Sequence, residues 1–185
     1  MAGRFESLLL YVNLAAHGLL LLGAVWSITV PKRRIYPMAR RGPAFRAMWI
    51  LFSYVFVSNA ALVMLDWNSG FWDDPLRFAL GVPVAALGAA LVSSGIASLG
   101  LRNTSGVRDS FIVAGPYRFT RNPQYVGDAL LFAGMAIIAN SQVVLVTHML
   151  TALVLLLAPF AEEPWLKEQY GEEYEAYKRA VPRYL

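Results

Sequence analysis

Residues 123–160 read PQYVGDALLFAGMAIIANSQVVLVTHMLTALVLLLAPF, a run in which Asp128 is the only acidic or basic side chain apart from His148. As one helix it would be about 57 Å long at 1.5 Å per residue, nearly twice the ~30 Å hydrocarbon core of a bilayer. Asn140-Ser141-Gln142 is the only polar cluster inside it. The run therefore reads as two spans, 123–140 and 142–160, folded into a tight helical hairpin. Working outward, three more apolar runs of spanning length lie at 8–30, 45–65 and 76–101. The expected fold is all-α: a polytopic membrane helical bundle of about five transmembrane helices, forming one integral membrane domain over 1–185.

Composition agrees, with 57% hydrophobic and 15% charged residues and a mean hydropathy of +0.48. The longest polar segments, 102–122 and 161–185, are too short to hide a soluble domain, so any chemistry falls to them and to the helix ends beside them. The first apolar run is too long for a signal-peptide core and is followed by Lys32-Arg33-Arg34. There is no cysteine, which excludes disulfides and thiolate chemistry, and no metal site is expected. A net charge of +4 and a pI near 9.5 could point to nucleic acid, but the flanks of the spans account for it.

Five spans put the 31–46 loop, the 102–122 loop and the tail on one side. That side holds 14 of the 16 basic residues, against Arg4 and Arg77 opposite. The excess of Lys and Arg on cytoplasmic loops then predicts an N-terminus outside and a C-terminus in the cytoplasm.

Within the spans, Gly81, Ala85, Ala89, Ser93 and Ala97 form a four-residue ladder of small residues suited to helix packing, and Pro83 is placed to kink that helix. Asn13, His17, Asn59, Thr147 and His148 are polar groups that belong in a bundle interior, as interhelical hydrogen bonds or as catalytic groups. Asp128 has two readings, a functional carboxylate or the partner of an arginine near the surface. From Pro164 onward, Leu166, Tyr170, Tyr174, Tyr177 and Val181 recur at helical spacing among charges, which predicts an amphipathic cytoplasmic helix.

Two motifs carry chemistry. The first is GPYRFTRNPQYVG, residues 115–127. Asn122 suits an N-cap and Pro123 the first helical position. The helix start, with Arg118 and Arg121, offers N–H groups and charge to a carboxylate or phosphate. The second is Glu162-Glu163-Pro164-Trp165 at the expected end of the fifth span. Carboxylates there oppose the helix dipole. Glu163 could cap a following helix begun by Pro164, but that leaves Glu162 without a structural task. Paired carboxylates suit ribose hydroxyls or an ammonium group, and Tyr117, Tyr125 and Trp165 are placed to meet a cation by cation–π contact.

These two motifs, in this order and one hairpin apart, resemble the isoprenylcysteine carboxyl methyltransferase and phospholipid methyltransferase superfamily of integral membrane methyltransferases. Its signature is Arg-His-Pro-x-Tyr-x-Gly followed by Glu-Glu, and the resemblance covers about residues 88–185. It implies an S-adenosylmethionine pocket built by 102–122 and 161–185. Arg121, Pro123, Tyr125, Gly127, Glu162 and Glu163 carry over by position, with Gly115, Tyr117, Arg118 and Asn122 in the same segment. Gly100, in Ser-Leu-Gly-Leu, resembles a cofactor glycine of the phospholipid enzymes. Asn122 departs from the signature histidine, which removes any imidazole there. Asn-Pro-x-Tyr and Glu-Glu-Pro look like the phospholipid branch, while Gly-Pro-Tyr-Arg and the tyrosine-rich tail look like the carboxyl methyltransferase branch.

The resulting expectation is S-adenosylmethionine-dependent methyl transfer at the cytoplasmic face, to a hydrophobic acceptor entering from the lipid. That acceptor is a phospholipid amine or an isoprenylcysteine-like carboxylate, and Asp128 or Glu162 takes a proton where one must leave. One rival is an NADPH-dependent membrane reductase related to sterol reductases, against which the acidic pair argues. The other is a non-enzymatic adaptor whose 31–46 loop binds anionic lipid, which explains the arginines and neither motif.

Overall fold

The computed structural model describes residues 2–37, 42–104 and 111–184. Among these, six α-helices follow one another with no strand: α1 (Ala2–Thr29), α2 (Pro43–Leu65), α3 (Leu76–Thr104), α4 (Pro123–Ala139), α5 (Gln142–Tyr170) and α6 (Glu172–Ala180). The chain is a helical membrane bundle. Four helices (α1, α2, α3 and α5) are long and apolar enough to cross a bilayer, and α4 is apolar but shorter. Of the basic residues counted above, Arg40, Arg41, Arg108 and the side chain of Arg102 lie outside what is described.

The helices pack in the spatial order α3, α4, α5, α1, α2, with α2 also touching α5. The α3–α4 contact is the most intimate because glycines line it. A Cβ at Gly134 would lie 2.5 Å from the Ala85 nitrogen, and one at Gly127 2.8 Å from Gly88 O. The facing residues of α3 are Gly81, Ala85, Gly88 and Gly95, whereas Ala89, Ser93 and Ala97 of the expected ladder are exposed. Steps of four residues drift about 40° each around a helix of 3.6 residues per turn, so the expected ladder leaves the contact face after one step. Steps of seven stay on it. Non-helical backbone in α3 falls at Gly100 (φ 78°, ψ 157°), not at Pro83.

The hairpin forms where the polar cluster stands. Asn140 ends α4 in the left-handed region (φ 46°), and Ser141 caps α5 by accepting from Val144 N at 3.0 Å. The α2–α3 loop clamps this turn: Gly70 N donates to Asn140 O (2.7 Å) and Asn68 N to Ala139 O (2.8 Å).

The buried polar residues of α1, α2 and α5 bond to one another, with Asn13 Oδ1 alone left without a partner among the described residues. Asn13 Nδ2 donates to Ser58 Oγ (2.7 Å) and Asn59 Oδ1 (3.0 Å), Asn59 Nδ2 donates to Thr151 Oγ1 (2.7 Å), and His17 Nε2 meets the same hydroxyl at 2.7 Å. His17 is thus an interhelical hydrogen-bonding residue. In an apolar surround these bonds fix which helix faces meet.

Helix α5 corrects the expected boundaries. It does not stop at Phe160 and restart at Pro164, but runs through Pro159 and Pro164 to Tyr170 and ends at Gly171 (φ 55°). Proline inside a membrane helix is tolerated where neighbouring groups satisfy the freed backbone, and the carbonyls that Pro159 and Pro164 leave without an intrahelical donor are those of Leu155 and Phe160. Glu162 and Glu163 therefore lie within a helix, not at its end. The amphipathic helix is the short α6, whose Tyr174 and Tyr177 pack with Phe111, Leu166, Tyr170 and Val181.

Candidate active site

Two consecutive glutamates on one helix point about 100° apart, and the structure gives them separate partners. Glu163, 8% exposed, receives Arg183 through two bonds (Nε 2.5 Å, Nη2 2.9 Å), Arg121 Nη1 at 3.0 Å and Lys178 Nζ at 3.4 Å. It ties the start of α4 to α6 and to the segment after it. The same seam carries Arg121 N to Pro182 O (2.9 Å), Thr120 Oγ1 to Arg183 O (3.0 Å) and Tyr177 OH to Tyr117 O (2.7 Å). Tyr174 receives Arg121 Nη1 at 3.1 Å, and burial pushes its phenol up to about 12, with the Glu163 charge adding to the effect.

Glu162 faces elsewhere. Its Oε1 accepts from Tyr125 OH of α4 (2.5 Å) and from Tyr36 OH, and the two phenols stand 2.7 Å apart. Burial, then the adjacent carboxylate, pushes the Tyr36 phenol well above its ordinary value, so it keeps its proton and acts as donor.

These groups open onto a cavity of about 610 Å³, a size that suits a cofactor together with part of a second ligand. Arg121, Asn122, Tyr125, Asp128, Glu162 and Glu163 line its polar end, with Tyr117 and Trp165 beside them. Phe45, Trp49, Phe52 and Phe56 of α2 line one apolar wall, and Val92, Ile96 and Leu99 of α3 the other. This apolar part therefore lies between α2 and α3.

The remaining expected residues are not brought to the cavity wall. Gly127 belongs to the α3–α4 contact, Pro123 is the buried first residue of α4, and Arg118 is exposed. Gly115 starts a 3₁₀ turn with φ 56°, where a Cβ would strike Ser98 Oγ, so it serves a close approach to α3. Gly100 is exposed with open space around it, so its backbone alone could face a ligand. Asn122 holds the N-cap position of α4 without capping it: its Nδ2 donates instead to Arg183 O (3.0 Å). Asp128 has no hydrogen-bond or ion-pair partner among the described residues, so its arginine-pair reading finds no support there.

Sequence reading missed Tyr36, Gln124, Arg183 and the aromatic wall of α2. Tyr36 meets a partner 89 positions away and carries no local signal. Gln124 Nε2 donates to Tyr117 OH at 2.9 Å. The α2 aromatics were partly legible, as Phe45, Trp49, Phe52 and Phe56 recur at helical spacing.

The residues present fit S-adenosylmethionine. Arg121 Nε is a buried donor with no partner among the described residues, available to a carboxylate. Glu162 and Asp128 offer acceptors to cationic or hydroxyl groups, and the surrounding rings suit a sulfonium.

Comparison with known proteins points the same way. The chain is 29% identical over 107 residues to human phosphatidylethanolamine N-methyltransferase, covering 55% of this chain and 54% of that protein. It thus spans about half the length of that curated relative. No solved structure matches. The sequence model of the phospholipid methyltransferase family matches residues 76–173, more than half of the chain and a stretch that holds both motifs, and on this match the chain belongs to the phospholipid methyltransferase family.

Proposed function

We propose that this protein is an S-adenosylmethionine-dependent methyltransferase that methylates the amine of a phospholipid drawn from the bilayer, at the cytoplasmic face. The observation that carries the reading is the single cavity that joins both family motifs to an apolar gap between α2 and α3. The segments 111–122 and 161–184 close its polar end, and the charge asymmetry of the loops supports a cytoplasmic position for that end.

Bound there, S-adenosylmethionine supplies an electrophilic methyl group on a sulfonium. Arg121, Tyr125 and Glu162 are placed to bind the cofactor, while the rings of α2 exclude water and hold acyl chain. Asp128 and Glu162 favour an amine over a carboxylate acceptor. A carboxylate acceptor would face two acids, Asp128 and Glu162, in the wall of the same cavity. An ammonium group would be attracted to Asp128, which has no partner among the described residues and is placed to take the proton the nitrogen must lose before it can attack. Positioning and the replacement of water by oriented polar groups supply most of the catalysis.

Calorimetry on the detergent-solubilised protein should show binding of S-adenosylmethionine and S-adenosylhomocysteine, and vesicles of phosphatidylethanolamine should be methylated. Asp128→Asn should lower turnover by at least ~10²-fold while S-adenosylhomocysteine affinity is kept. Binding of NADPH with none of the adenosyl ligands would replace this reading with a reductase. Binding of anionic vesicles with neither cofactor would leave an adaptor.

A further inference from the structure

The carboxylate of Glu162 is not oriented by α5 alone. Both phenols converge on one of its oxygens, Oε1, while no described residue bonds Oε2 of this cavity-lining side chain. One phenol, Tyr125, belongs to the family motif. The other, Tyr36, comes from the segment between α1 and α2 and lies outside the family-matched stretch 76–173.

That segment is held at two places. Ser27 Oγ, in a fully buried residue of α1, accepts from Ile35 N and Tyr36 N at 3.0 Å each. Arg34 makes a bidentate pair with Glu168 of α5 at 3.0 and 2.6 Å, six residues beyond Glu162. A planar guanidinium on a carboxylate fixes direction as well as distance. The backbone of Tyr36 is thus anchored to α1, and Arg34, two residues before it, to α5, so its hydroxyl reaches Glu162 from a defined place.

We propose that Tyr36 is a positioning residue of the active site: by holding Oε1 of Glu162 it presents Oε2 to the cationic part of the bound ligands, so the N-terminal segment completes the site. The inference rests on the methyl transfer proposed above. It also explains why a residue with an ionisable hydroxyl stands half-buried beside a carboxylate. A phenylalanine would pack equally well against Phe52, whose ring lies 6.4 Å from that of Tyr36.

The test compares wild type, Tyr36→Phe, Glu162→Gln and the double variant in phosphatidylethanolamine vesicles with S-adenosylmethionine. Loss of one hydrogen bond to a charged group predicts a kcat about tenfold lower in Tyr36→Phe. KM for the lipid and the melting temperature should stay unchanged. In the Glu162→Gln background the same change should cost less than about twofold, because its partner charge is already gone. A second readout does not need turnover. The infrared carboxyl band that disappears in Glu162→Gln should shift in frequency in Tyr36→Phe. If wild type methylates nothing, the proposed function fails while the band still decides the contact. Full activity of Tyr36→Phe, effects that multiply in the double variant, or an unmoved band would each overturn the positioning role.

Discussion

Replacing Glu163 with Gln removes the charge on which Arg183, Arg121 and Lys178 converge. The magnitude follows from burial. The side chains of Glu163 and Arg121 are 9% and 8% exposed and that of Arg183 28%, so Arg121 loses its counter-charge in a place water hardly reaches. Lys178, 41% exposed, is screened and adds little. Leaving a buried charge without its partner costs about 3–5 kcal/mol, which for a chain of this size is a fall in melting temperature of roughly 6–20 °C. The assay is thermal unfolding in detergent, with S-adenosylhomocysteine affinity measured below the transition. Glu162→Gln should behave differently: the amide oxygen still accepts from Tyr36 and Tyr125, so stability stays within about 1 kcal/mol, while ligand affinity or turnover falls. A melting temperature for Glu163→Gln within 2 °C of wild type, together with a tenfold or greater loss of cofactor affinity, would refute the reasoning. Glu163 would then be a ligand contact and not a structural tie.

Two further outcomes follow from the packing and the charge distribution. Gly134→Ala places a methyl group 2.5 Å from the Ala85 nitrogen across the α3–α4 contact and should destabilise the bundle by about 1–3 kcal/mol, seen as a lower melting temperature. A wild-type value would show that the two helices can separate freely. In intact cells, an impermeant thiol reagent should label Asp74→Cys and not Arg179→Cys in this cysteine-free chain, and the opposite pattern would invert the proposed orientation.

Much of the architecture was legible in the order of residues. Apolar runs bounded by polar clusters mark the helices because a bilayer leaves few alternatives for backbone hydrogen bonds. Length required a turn within 123–160, since no single helix of that size fits the hydrocarbon core, and the polar cluster Asn140-Ser141-Gln142 located it. The family motifs were legible too, because residue type and spacing survive as a pattern even where partners are unknown. They marked which segments meet, and Arg121, Asn122, Tyr125, Asp128 and Glu162 do line one cavity.

What the tertiary structure decided was the direction of each side chain and the company it keeps. Glu162 and Glu163 read as a pair in the sequence. Helix geometry turns one toward two tyrosines and the other toward three cations, a division that depended on α5 continuing through Pro159 and Pro164. The local signal at Pro164 favoured a new helix start there, and α5 instead continues through it. Gly127 read as part of a ligand signature and is spent on helix contact with Gly88. Tyr36 had no signal at all. Its role arises only when a segment between the first two helices is folded against the fifth, and contacts between residues 89 and 126 positions apart are set by how helices pack, which local spacing does not encode.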